Sequence, residues 1–308
     1  MNYEYHDPVL LHESVDALVQ NPDGVYVDVT FGGGGHSRHI LSKLSAKGRL
    51  IAFDRDQDAV DRMPRDERLT LHRHNFQFIK QLLINAKALP VDGILGDLGI
   101  SSHQIDVDSR GFAHRFDGPL DMRMDRSAKL TAEQVVNHYS EQELLHVFNH
   151  YGEIKNAFKL VKTILEHRKG SSLKTIEKLK AAIDSCTPKD TPAKYLSQVF
   201  QAIRIEVNAE LKALEQLLID SPELIKENGR LVIISYHSLE DRLVKNFLQS
   251  GNLDGKRHTD MYGWSSQPFD SKPSKAILPS EEEITKNKRA RSAKMRIGVR
   301  KSWNQTNR

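Results

Sequence analysis

The segment 25–44 constrains this chain more than any other. A β-branched and aromatic run, VYVDVTF (25–31), ends directly on four glycines, Gly32 to Gly35, and a helical stretch follows from Ser37. Glycines at the tip of a strand let the backbone turn sharply and approach a ligand closely, at a helix N-terminus whose free N–H groups favour an anionic group. A merely tight turn would use the same residues, so the surroundings decide. A second strand, RLIAFD (49–54), ends in Asp54, twenty residues past Gly34. Doubly wound nucleotide-binding folds place an acid there to accept ribose hydroxyls. A helix containing Ala59, Val60 and Met63, a third strand from Leu69 to His72, a helix over 78–88 and a fourth strand over 91–98 complete the series. The order β-α-β-α-β-α-β predicts an α/β fold around a parallel sheet.

The alternation then stops. From about 130 to 221 no strand is expected. Phe158, Val161, Ile164 and Leu165 keep helical spacing, as do Phe200, Ile203, Val207, Leu211, Leu214 and Leu218, while Pro188 and Pro192 divide the run. Asn228-Gly229 is expected to end a helix, and RLVIISY (230–236) resumes the sheet. Beyond Leu248 only 293–299 recovers a strand-like alternation. The expected organisation is a sheet domain in two parts, 1–110 and 208–308, with an all-helical insertion, 111–207.

Charge is distributed unevenly. Nine basic residues and no acid lie between 285 and 308 (Lys286, Lys288, Arg289, Arg291, Lys294, Arg296, Arg300, Lys301, Arg308), within a chain of net charge +4. Such a block implies an anionic partner, or else a solvated tail. The single cysteine, Cys186, excludes a disulfide framework and any multi-thiolate metal site within one chain. His6, His12, His36, His72 and His74 lack the spacing of a zinc site, so no protein-ligated metal is expected. The start, MNYEYHDPVLLHESV, lacks a basic then apolar leader, and no apolar run approaches the roughly 20 residues of a membrane span, so a cytoplasmic protein without a membrane partner is expected. Oligomeric state is left open.

Counted from Gly32, the dinucleotide pattern G-x-G-x-x-G requires glycine or alanine at 37, where Ser37 stands instead. A pyrophosphate is therefore disfavoured. Asp28, ahead of the loop, would repel a phosphate but accepts a bond from an ammonium, which favours S-adenosylmethionine over NAD as the cofactor. Phe76, after the third strand, is placed to pack on adenine, although a phenylalanine is more often core.

In these residues and the blocks that follow them, the chain resembles the RsmH (MraW) family of S-adenosylmethionine-dependent cytidine-N4 methyltransferases of bacterial small-subunit ribosomal RNA. The matching segments are HDPVLLHE (6–13), DVTFGGGGHS (28–37), AFDRD (52–56), GDLGISSHQID (96–106), RGFAHRFDGPLDMRMD (110–125), QAIRIEVNAEL (201–211), ISYHSLEDR (234–242) and NKRARSAKMR (287–296). They span nearly the whole chain. Gly96 stands where many members carry an aliphatic residue and Tyr236 where many have Phe; 254–279 matches least. The resemblance implies a Rossmann-like class I methyltransferase with a mostly parallel sheet and a helical insertion that helps hold RNA. It implies a cofactor site of Gly34, Gly35, His36, Asp54, Phe76, Asp97 and Gln104. It further implies methylation of N4 of one cytidine in 16S ribosomal RNA, in the decoding region near the P site, within the 30S subunit or a late assembly intermediate.

Two readings of Asp97 follow. Amino methyltransferases commonly orient the amine with an Asp/Asn-Pro-Pro-Tyr turn at the fourth strand's tip, and here the tip is Asp97-Leu98-Gly99-Ile100-Ser101-Ser102. Asp97 therefore either accepts an amine N–H or, as the family implies, binds cofactor. Candidate RNA contacts are Arg115, Arg123 and Arg126, which alternatively form a salt-bridged turn with Asp117, Asp121 and Asp125, together with His237, Arg289 and Arg291. Ser238 reads as the N-cap of a helix, with Asp241 three residues on. Competing functions are a methyltransferase of DNA or protein amines, and a non-catalytic RNA-binding factor on the same fold. The absent Pro-Pro-Tyr counts against a DNA enzyme, and intact Asp28, Gly34, Asp54 and Asp97 against the factor.

Overall fold

The computed structural model describes residues 8–257 and 267–302, so His6, Arg308 and part of the 254–279 loop lie outside the described residues. The described residues run first through α1 (Leu11–Leu18), β1 (Val25–Asp28), α2 (Gly35–Lys43), β2 (Arg49–Asp54), α3 (Gln57–Val60), β3 (Leu69–Arg73), α4 (Ile79–Asn85) and β4 (Val91–Asp97). β1 is shorter than the 25–31 run. Its ladder to β2 closes at Asp28 opposite Ala52; Val29 and Phe31 then donate single bonds to Leu95 O and Phe53 O, both at 2.9 Å. The chain turns away at Gly32, φ 51°. Two helices are also shorter than their periodicity implies. α3 stops at Val60, leaving Met63 exposed before Pro64, a position that disfavours helix. α4 starts only after a 3₁₀ turn at Phe76–Phe78, which Asn75 caps through Gln77 N.

The chain folds as two compact units, one of residues up to Gly99 together with those from Leu211, the other Ile100–Glu210. The borders thus fall before Ile100 and after Glu210, not after residues 110 and 207. Local bonding inside the second unit accounts for this: Arg110 donates to Arg123 O and Met124 O, and Asn208 accepts from Met124 N and donates to Met122 O.

The second unit holds α5 (Ser102–Asp106), α6 (Ala132–His138), α7 (Glu141–His146), α8 (Ala157–Gly170), α9 (Ile176–Ile183) and α10 (Pro192–Asn208). Capping boxes start three of them, Ser101 with Gln104, Thr131 with Gln134 and Ser140 with Glu143, each satisfying two backbone donors at the helix entry. Val161 and Ile164 join this unit's core with Leu144, Phe148, Ile176, Val199 and Ile203. Phe158 does not; it is exposed. The expected continuity from Phe200 through Leu218 also fails. α10 ends at Ala209, φ 49°, whose left-handed backbone stops the helix before α11 (Glu210–Leu224) begins.

The first unit then resumes with most of α11, β5 (Ile225–Ser235), α12 (Ser238–Ser250), β6 (Phe269–Ser271), α13 (Glu281–Lys286) and β7 (Lys294–Arg300). Asn228-Gly229 does not end a helix. It lies within β5, where the register against β4 shifts and Asn228 takes φ 61°. β6, three residues long, has no counterpart in the expected pattern; it forms against β7, Phe269 opposite Arg300.

The seven strands run β3-β2-β1-β4-β5-β7-β6. β3, β2, β1, β4 and β5 pair in parallel, while β7 is antiparallel to β5 and β6. Both faces are covered, as a parallel sheet requires. Val27, Ile51, Phe53 and Ile94 pack with Leu83, Leu217 and Phe247 on one face, and Tyr26, Leu50, Ala52 and Leu95 with Leu18, Ile40 and Leu41 on the other. The strand order reverses between β1 and β4, and ligands of such sheets gather outside the carboxyl ends of the strands flanking that point. No helix among the described residues is long and apolar enough to cross a membrane.

Candidate active site

Three acids end the strands around the reversal: Asp28 on β1, Asp54 on β2 and Asp97 on β4. Asp28 is buried, accepting Ser37 Oγ–H at 2.6 Å and Thr30 N–H at 3.0 Å. Ser37, which replaces the glycine of a dinucleotide loop, thus fastens the first turn of α2 to β1. Asp54 accepts from Gly32 N at 2.7 Å and Asp56 N at 2.8 Å, so the second strand's acid shapes the glycine loop. Asp97 N donates to Thr30 Oγ1 at 2.7 Å, and its Oδ1 accepts the Tyr236 hydroxyl at 2.8 Å.

Burial pushes all three carboxyls above their ordinary value; for Asp97, with Tyr236 opposing the rise and Glu240 adding to it, the result is about 7. No lysine or arginine among the described residues forms an ion pair with any of them. Such a set of acids is costly unless a cationic or donor-rich ligand completes it.

Gly34 caps α2 with φ 74°, and a Cβ there would stand 2.7 Å from Phe31 Cζ, so the loop needs glycine at that position. It offers no side-chain cap, leaving the start of α2 to other acceptors. Gly35 has a packing reason instead: a Cβ would meet Pro8 Cγ at 2.1 Å. His36 is buried, and its Nε2–H donates to Val9 O at 3.2 Å. Burial lowers its pKa, so the ring is neutral and Nδ1 carries a lone pair. That Nδ1 lies 3.7 Å from Asp97 Oδ2, so that when Asp97 is ionised two acceptors stand side by side.

Phe76 is half-buried against the core that holds Ile79 and Leu83, the ordinary role for a phenylalanine. Gln104 belongs to the second unit, where its Oε1 accepts from Ser101 N at 3.1 Å. Arg123 forms a fork on Asp121, with contacts of 2.8 and 2.7 Å, and also donates to Arg126 O and Ala128 O; the salt-bridged turn describes it. Arg115 pairs with Asp106 at 2.7 Å and stacks on Phe116, and the Arg126 side chain is exposed. His237, not Ser238, is the N-cap of α12, and its partner is Glu240, not Asp241. The box closes one residue earlier because Glu240 Oε2 accepts from Tyr236 N at 2.9 Å and His237 N at 3.4 Å. Arg289 and Arg291 lie in a 3₁₀ turn, Lys288–Ser292, the first half-buried and the second exposed. No cluster of three or more potential metal ligands occurs among the described residues.

Sequence reasoning missed Tyr236 and Glu240 as parts of the site. The available signal was position 236 itself, where a hydroxyl replaces the hydrogen of the phenylalanine common in the resembled family.

The strand order, the antiparallel β7 and the acids at the strand tips define a Rossmann-like class I methyltransferase. Residues 3–301 match the MraW methylase family, and the chain belongs to it. Among its relatives, a protein of Flavobacterium johnsoniae named ribosomal RNA small subunit methyltransferase H is 52% identical over 294 residues, 96% of this chain and 97% of the relative. A protein of the same name from Cytophaga hutchinsonii is 51% identical over 298 residues, 96% and 99% of the two chains. The cofactor is S-adenosylmethionine, and the donor set fits it. Its cationic sulfonium and ammonium suit unpaired acids, its ribose hydroxyls suit Asp54, and its carboxylate suits the uncapped start of α2.

Proposed function

We propose that this protein methylates the exocyclic N4 of one cytidine in 16S ribosomal RNA, in the decoding region near the P site. The observation that carries the reading is the acceptor pair, Asp97 Oδ2 and neutral His36 Nδ1, 3.7 Å apart beside the strand-order reversal. An amine or ammonium group satisfies both at once. The names of the half-identical relatives support ribosomal RNA of the small subunit as substrate; the cytidine and its place in the RNA rest on the family resemblance. The substrate is the RNA within the 30S subunit or a late assembly intermediate, which implies a cytoplasmic site of action.

Methyl transfer is an in-line displacement, so alignment and exclusion of water count for more than a strong base. S-adenosylmethionine supplies the methyl group and its sulfur leaving group. When it is bound, Asp54 would accept its ribose hydroxyls and the start of α2 would take its anionic end. The cytosine amine is a weak nucleophile because its lone pair is delocalised into the ring. The ionised Asp97 carboxylate accepts one of its N–H groups, returning density to nitrogen, and a carboxyl near 7 suits the uptake of the proton that N4 loses. Mass mapping of nucleosides from small-subunit RNA of cells with and without the protein tests this. The expected result is loss of N4 methylation at one cytidine; an unchanged cytidine profile overturns it.

A further inference from the structure

We propose that Tyr236 is a positioning residue for methyl transfer: its hydroxyl engages Asp97 Oδ1 and so presents Oδ2, beside His36, to the reacting group. The inference rests on the reading of Asp97 above. Tyr236 is the first residue after β5, and it is held at both ends. Its backbone N–H is tied at 2.9 Å to Glu240, a buried carboxylate in the first turn of α12. Its hydroxyl reaches across to β4, 139 residues earlier in the chain, at 2.8 Å. The ring closes over the turn after β4, with Cδ2 3.7 Å from where a Cβ of Gly99 would stand. The phenol combines this reach with a neutral donor, and burial and the adjacent Asp97 keep it protonated by raising its pKa.

The bond has a direction of effect. A donor to the carboxylate favours its charged form. The other groups facing Asp97 and Tyr236 are Asp28 on β1, neutral His36 on α2, Glu240 on α12 and, toward the phenol, Glu283 on α13. None is a cation, so Tyr236 is the group that opposes the burial of Asp97. Without it the carboxyl is both freer to rotate and harder to ionise.

Tyr236→Phe keeps the ring and removes the donor. In the parent protein, carboxyl-labelled aspartate followed by NMR, assigned with Asp97→Asn, should show Asp97 titrating near 7. In Tyr236→Phe the midpoint should rise by about one unit. The acidic limb of kcat/KM for methylation of unmethylated small subunits should move with it. Activity then falls about tenfold near pH 6 and recovers to within about twofold at high pH, a pattern that loss of packing would not produce. An unmoved midpoint, or an equal loss of rate at every pH, overturns the proposal. The titration requires no RNA, so methylation found at another atom would sink the functional reading while leaving this one measurable.

Discussion

Two groups of acids in the sheet unit have opposite surroundings. At the tips of β1, β2 and β4, Asp28, Asp54 and Asp97 are held above their ordinary pKa by burial. On α12, burial alone would push Asp241 up as well, but Arg296 at 2.6 Å and Lys294 at 3.2 Å more than offset it, and its pKa is lowered. The cations that quiet Asp241 come from β7, the strand made by the basic C-terminal block. Acids without an ion-paired lysine or arginine mark where a ligand can complete the charge, and acids with one hold a strand in place. The same contrast divides the basic block itself, since Arg296 and Arg300 are buried while Lys288 and Arg291 are exposed.

The largest effect expected from this contrast is at Asp97. Asp97→Asn should lower methyl transfer by about 10³-fold or more while leaving the fold intact. Turnover and calorimetric cofactor affinity, measured separately, check it: unchanged affinity assigns Asp97 to the amine, and collapsed affinity assigns it to the cofactor. Stability should move the other way. The folded protein binds the Asp97 proton more tightly than the unfolded chain, near 7 against 3.8. That contribution is full below the unfolded value and is lost as pH rises through the folded one. Asp97→Asn should therefore be more stable than the parent at about pH 8, by at most about 4 kcal/mol, and little more stable at about pH 4. A lower Tm at alkaline pH would break the comparison.

Next in size is Arg296. Replacing it by Ala leaves Asp241 mostly buried with only the more exposed Lys294. Loss of one partner of such a pair should cost about 3 kcal/mol, read by urea unfolding, while cofactor affinity of the folded fraction is unchanged. Asp54→Ala should show the reverse pattern, weakening S-adenosylmethionine by about 1 to 3 kcal/mol, the usual loss for a hydrogen bond to a charged group. Calorimetry on the folded variant decides: equal affinity would remove Asp54 from the site.

How far the sequence could be read follows from the range of the interactions. The first four strands and the helices between them were legible because period and glycine placement are local, and Asp54 and Asp97 were legible because strand tips are. Asp97 meeting Tyr236 was not, since the bond joins residues 139 apart and neither neighbourhood announces the other. The break at Ala209 was hidden because alanine is a strong helix former, and only the packing of the chain forces it to φ 49°. The cap of α12 was misplaced by one residue because Ser is the better cap by propensity, whereas Glu240 reaches two backbone donors only when His237 occupies that position. The basic block left two readings open, because strand alternation and charge coincide in 293–299. β7 settles which of its side chains turn inward.

The smallest effect lies in what remains of that block. Lys288 and Arg291 are exposed at the 3₁₀ turn before β7, whereas Arg296 is spent on Asp241 and Arg300 donates to Pro222 O at 2.9 Å. If the two exposed cations contact phosphates, each releases about 0.7 of a counterion from a single strand, and Lys288→Ala with Arg291→Ala should flatten the slope of log affinity against log salt by about 1.4 units. Exposed charges at a turn contribute little to folding, so Tm should change by no more than about a degree. Arg296→Ala should do the opposite, losing stability with the salt slope kept. Nitrocellulose binding of small-subunit RNA across a salt series, with thermal unfolding of the same preparations, reads both quantities. An unaltered slope in the double variant removes this turn from the RNA interface. A large loss of stability there means that these cations, too, hold the sheet together, and the division of the basic block into buried braces and exposed contacts fails.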